Sequence, residues 1–71
     1  MTMDILKING ESRDFPDGLP KTLSDLLDIL NINHATIVAE LNGQIIKRTE
    51  FSETPLVSGQ HIELIRFVGG G

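Results

Sequence analysis

Thr22-Leu23-Ser24-Asp25-Leu26-Leu27-Asp28-Ile29-Leu30, TLSDLLDIL, is the stretch that organises the chain. Leu23, Leu26, Leu27 and Leu30 fall at i, i+3, i+4 and i+7, so one face of a short helix is wholly leucine and needs a surface to cover it. Thr22 can cap the free amide three residues on, where Asp25 sits in a weak capping box. Asn31 to Asn33 is a plausible stop. A leucine stripe of this length packs one helix face onto a sheet, and the flanking sequence supplies that sheet on both sides.

Before the helix, residues 4–9 alternate: Leu6 and Ile8 share one face, Ile5 and Lys7 the other, which is the period of a half-buried strand. Asn9-Gly10 follows, a tight-turn signal because both central residues of such a turn need positive φ. The return strand runs from Glu11 to Phe15 and ends at Pro16-Asp17-Gly18. After the helix, Thr36 to Leu41 places Ile37, Ala39 and Leu41 on one face, Asn42-Gly43 turns the chain, and Gln44 to Ile46 returns. Residues 47–55 read as polar and irregular. Ser58-Gly59 then turns into a closing strand, His61 to Val68, with Ile62 and Leu64 inward. The order strand, strand, helix, strand, short strand, strand predicts an α+β domain in which a mixed sheet of four to five strands grasps one main helix. Its first and last strands should be parallel neighbours, since the crossover between them contains the helix.

A chain of 71 residues has room for one core, and 39% hydrophobic with 23% charged residues is the composition of a folded domain. With no cysteine, disulfides, zinc thiolates and thiol nucleophiles are excluded. The net charge of −4 argues against nucleic acid or anionic lipid as partner. No stretch is long enough for a membrane span, and Met1 to Asp4 lack a basic signal region, so the expected location is cytoplasmic.

A search for side-chain chemistry finds little. His34 and His61 have no metal-ligand spacing, the carboxylates form no acid and base pair, and the serines lack a nucleophile context. Gly69-Gly70-Gly71 is no phosphate loop, since no helix or lysine follows it. Yet three final glycines would arise by chance on the order of once in 3,000 chains. Glycine makes the thinnest polypeptide, able to thread a narrow channel. Four residues from Val68 would reach roughly 13 to 14 Å, far enough to carry the Gly71 carboxylate into another protein's reaction centre. Activated as an acyl-adenylate, that carboxylate could accept sulfur and become a thiocarboxylate, and no internal thiol would intercept it. The expected layout is a domain over residues 1–68 with a flexible glycine tail over 69–71. Strict alternation also puts Ile65 and Phe67 on the face opposite Ile62 and Leu64, at the root of the tail. That pair is either a docking site or is covered by the sheet's own edge or the middle loop.

The order of elements, the Asn42-Gly43 turn followed by Ile45-Ile46 and Arg48, and above all the ending Ile62-Glu63-Leu64-Ile65-Arg66-Phe67-Val68-Gly69-Gly70-Gly71 resemble the ThiS family, the sulfur carriers of thiamine biosynthesis. Where many members have proline before the arginine, this chain has Lys47. The resemblance implies a ubiquitin-like β-grasp fold and a protein cosubstrate rather than an enzyme, a monomer when free. It implies that Gly71 is adenylated by a ThiF-type enzyme using ATP and Mg, with no cofactor bound by the chain itself. Sulfur would come by way of a cysteine desulfurase and pass as thiocarboxylate to a ThiG-type thiazole synthase. Gly70 would be the second family glycine and Gly69 a third; these two, with Val68, Phe67 and Ile65, are the expected partner-binding residues. The MoaD family, small subunits of molybdopterin synthase, shares the same logic, but its members often carry prolines before the tail where Arg66-Phe67-Val68 stands here. A ubiquitin-like modifier and a plain binding module with an inert tail are the remaining readings.

Overall fold

The computed structural model describes residues 3–67. Both Asn-Gly pairs form the turns that their conformational freedom allows: Asn9 and Gly10 have φ of 51° and 84°, Asn42 and Gly43 have 49° and 86°. The first joins β1 (Asp4–Ile8) to β2 (Glu11–Phe15), and the second joins β3 (Ile37–Leu41) to β4 (Gln44–Ile46). With β5 (His61–Arg66), they form one sheet in the order β2-β1-β5-β3-β4. Strand β1 pairs with β5 in parallel, as the helical crossover requires, and the other pairings are antiparallel. Five strands around one helix make the β-grasp arrangement.

Helix α1 (Leu23–Ile29) is shorter than its leucine stripe, with Leu30 as its C-cap. Thr22 Oγ1 accepts the Asp25 N–H at 3.2 Å and lies 3.1 Å from Asp25 Oδ2. At the far end, Asn31 turns left-handed at φ 58°, its N–H donates to the Asp28 carbonyl, and the Ile32 N–H donates to the Leu27 carbonyl. These two bonds form a Schellman motif with asparagine in the place usual for glycine. The predicted stop at Asn31 therefore has a definite mechanism.

Leu23, Leu26 and Leu27 are buried against Leu6, Phe15, Ile37, Ala39 and Ile62 from the sheet, while Ile8, Leu30, Leu41 and Leu64 pack partly buried around them. Three expectations need correction. Residues 47–55 contain a six-residue 3₁₀ helix, Arg48–Glu53, whose Phe51 is 2% exposed and belongs to the core. A single phenylalanine among polar residues has no periodicity to announce it, but the mouth of a small sheet-and-helix sandwich needs a plug. The segment is tied to the start of α1 by the Leu23 N–H to the Thr54 carbonyl at 2.9 Å and a bridge between Thr22 and Pro55. Thr36 closes a second 3₁₀ turn, His34–Thr36, so β3 begins one residue later than its pattern suggests. Finally, β5 ends at Arg66, so Phe67 already lies beyond the strand expected to run through it, and Val68 is outside the described residues.

Candidate functional site

The last strand in sequence is the middle strand in space, flanked by β1 and β3. Each Asn-Gly turn contributes an asparagine that holds it. The Asn42 N–H donates to the His61 carbonyl at 2.7 Å while its Oδ1 accepts the His61 N–H at 2.9 Å. On the other side the Asn9 N–H donates to the Ile62 carbonyl at 2.8 Å, and its side chain meets the peptide of Leu64. The ladder on the β1 side thus continues along β5 two residues past the last register pair, Ile8 and Ile62, with the side chain of Asn9 substituting for backbone. At the exit, the Phe67 N–H donates to the Thr36 carbonyl at 3.1 Å. The root of the C-terminal segment is therefore anchored at Phe67.

Leu64 faces the helix side and is partly buried, so alternation turns Glu63 and Ile65 to the outer face of the sheet, with Phe67 following in the same phase. Ile65 is 49% exposed and Phe67 47% exposed, which decides between the two readings of this pair: neither the sheet's edge nor the 3₁₀ segment covers them. Ile65 stands opposite the half-buried Val38 on β3, and Glu63 opposite Glu40. Val68, Gly69, Gly70 and Gly71, the remaining expected site residues, lie outside the described residues.

Among the described residues there is no constellation that would make a side-chain catalytic centre. No polar or charged side chain is buried, and no three of His, Asp or Glu lie close enough to hold a metal ion. His34 Nε2 lies 2.9 Å from Asp28 Oδ1, and its ring meets the edge of Phe51 with centroids 6.1 Å apart, so this histidine braces the 3₁₀ segment against the helix. A groove of about 440 Å³ opens on the helix side of the strand, lined by the apolar Ile8, Leu30, Ile32 and Leu64 and by the charged Arg13 and Glu11. It brings no nucleophile and base together. What the described site offers is a rigid strand, an apolar patch and a main-chain exit from it.

The ThiS family model matches residues 6–71, from the first core strand through the final glycine. The sulfur carrier protein ThiS of Bacillus subtilis (strain 168) is 34% identical over 67 residues, covering 94% of this chain and 100% of that protein. A thiazole synthase of Paramagnetospirillum magneticum (strain ATCC 700264 / AMB-1) is 30% identical over 66 residues, which are 93% of this chain but 20% of that protein. The chain thus spans a fifth of the length of one curated relative and the whole of another. Among solved structures, the crystal structure of the thiamine biosynthesis protein (ThiS) from Geobacter metallireducens superposes with a TM-score of 0.81 at 29% identity, covering 94% of this chain and 99% of that one. With a family model matched over residues 6–71 and a ThiS relative 34% identical over its whole length, this chain belongs to the ThiS family.

Proposed function

We infer that this protein is a sulfur carrier of thiamine biosynthesis, a cosubstrate consumed and regenerated by partner enzymes and not itself an enzyme. The observation that carries the reading is the continuous match to the ThiS family, from Leu6 to Gly71, on a fold that superposes on a ThiS crystal structure.

The proposed cycle uses the Gly71 carboxylate. A carboxylate resists attack at carbon because its own charge repels nucleophiles. A ThiF-type enzyme with ATP and Mg would convert it to an acyl-adenylate, with pyrophosphate as leaving group. Sulfur mobilised by a cysteine desulfurase would then displace AMP, leaving a thiocarboxylate for a ThiG-type thiazole synthase. Gly69 and Gly70 would act as the narrow tether, with Val68, Phe67 and Ile65 in contact with the partners. The 66-residue likeness within a thiazole synthase supports that last partner, because there a segment like this chain and a synthase share one polypeptide. It also favours the thiamine pathway over molybdopterin synthesis. A cytoplasmic monomer is the form proposed for the free carrier.

Intact-mass spectrometry tests this. After incubation with ATP, a ThiF-type enzyme and a sulfur source, the protein should gain the mass difference of one oxygen replaced by sulfur, and a variant lacking Gly71 should not. A tail left unmodified, with acyl transfer to lysines found instead, overturns the carrier reading. Formation of the thiazole with a ThiG-type synthase distinguishes the thiamine pathway from the molybdopterin one.

A further inference from the structure

The outer face of the sheet carries an arrangement that its own stability does not call for. Glu40 on β3 and Glu63 on β5 stand directly opposite each other near the middle of the sheet. Such pairs hold their Cβ atoms about 5 Å apart, and like charges there are destabilising. Basic groups are at hand on the same face, since Lys7 and His61 are register partners across β1 and β5. Yet neither forms an ion pair with the two glutamates: among the described residues the one such contact is between His34 and Asp28. Glu40 is moreover half-buried as a residue, at the foot of the apolar patch. Next along the two strands come Val38 and Ile65, also directly opposite, and then Phe67. Ile45, 65% exposed, stands beside Glu40 on β4. An acidic pair is thus bordered by apolar side chains, on a protein of net charge −4.

We propose that this face, centred on Glu40 and Glu63 and bordered by Val38, Ile45, Ile65 and Phe67, docks a protein surface presenting an arginine or lysine set among apolar groups. The inference rests on the carrier reading, and it names what that reading leaves open: how an activating partner recognises the folded domain as well as its tail. Charge selects the occupant. A second copy of this chain, applied face to face about a two-fold axis, would bring four carboxylates together, which a symmetric interface cannot relieve. Anionic lipid and nucleic acid are repelled for the same reason. A basic side chain of the partner would bridge both carboxylates and remove the cross-strand repulsion on binding, so the free carrier's unfavourable pair becomes a favourable difference between bound and free states. Position fits the purpose. Phe67 lies four residues beyond Glu63, just past the end of β5 and about 13 Å further along the chain, so a partner seated on the pair already reaches the exit of the tail.

Titration calorimetry of the full chain against a ThiF-type adenylating enzyme, at two salt concentrations, tests the docking. Wild type should bind more weakly at high salt. Glu63→Arg should weaken binding by about tenfold or more, and the isosteric double variant E40Q/E63Q by several-fold with a flatter salt dependence. The double variant should melt at the same temperature as wild type or higher, because the like-charge pair is gone, so a loss of affinity cannot be ascribed to unfolding. Unchanged affinity and salt dependence in both variants, or no binding by wild type, overturns the proposal. Intact mass of the same samples keeps the two readings apart: wild type that acquires sulfur while the glutamate variants bind and react normally removes the docking face and leaves the carrier standing. Wild type that binds through the glutamates yet never acquires sulfur does the reverse.

Discussion

Asn9 brackets the peptide of Leu64 although 55 positions separate them: its Oδ1 accepts the Leu64 N–H at 2.7 Å and its Nδ2 donates to the Leu64 carbonyl at 3.3 Å. The same residue sits at φ 51° in the first turn. One side chain therefore serves a local need, tolerance of the left-handed conformation, and a distant one, registration of the central strand.

Two substitutions separate these roles. Asn9→Gly keeps the backbone freedom and loses both side-chain bonds, so it should cost about 1 to 3 kcal/mol. Asn9→Ala adds conformational strain of about 1 kcal/mol to that loss. Urea titration of both variants measures the difference. A glycine variant as stable as wild type would show that the bracket contributes nothing.

Phe51→Ala should destabilise the domain by about 3 to 5 kcal/mol, since a fully packed ring is removed from a core this small. Leu and Met at the same position should recover most of that loss. Thermal melts followed by circular dichroism check the series, and a mild effect for alanine would mean that the 3₁₀ segment can collapse onto the gap.

Thr22→Ala removes the acceptor for the Asp25 N–H in a helix of only seven residues and should cost about 1 kcal/mol, whereas Thr22→Ser should be close to neutral. Equal losses in the two variants would point to the Thr22 methyl group, not its hydroxyl.

Phe67→Ala should change stability by less than about 1 kcal/mol, because the ring is 47% exposed and its anchoring bond to Thr36 is made by backbone. Affinity for a ThiF-type enzyme should fall by more than that. A large drop in melting temperature with unchanged affinity would assign Phe67 to the core.

The features legible in the sequence are those whose cause is local. Asn9-Gly10 and Asn42-Gly43 announce their turns because few residues accept positive φ, and the leucines of α1 announce their face because the helix repeats it. Alternation in β5 was enough to turn Ile65 and Phe67 outward, but whether anything lay over them depended on the path of residues 47–55. That path was illegible because Phe51 has no apolar neighbour at strand or helix spacing. The asparagine brackets were illegible for another reason: an Asn-Gly pair explains itself as a turn, and nothing in it says that the amide also binds a strand far along the chain. Of the candidate site, the sequence shows the glycines and the apolar root, while the Glu40 and Glu63 pairing exists only once β3 and β5 are in register.

With β5 at the centre, the sheet is complete only when the last strand in sequence is in place. Neither β1 nor β3 can complete its pairing until β5 arrives, and the β1 to β5 contact closes a loop of nearly the whole domain. High contact order of this kind slows folding. An incompletely folded chain would have no fixed strand leading to Phe67 and no acidic pair beside it. A partner that reads the face together with the exit, as proposed above, would therefore distinguish a finished domain from an incomplete one.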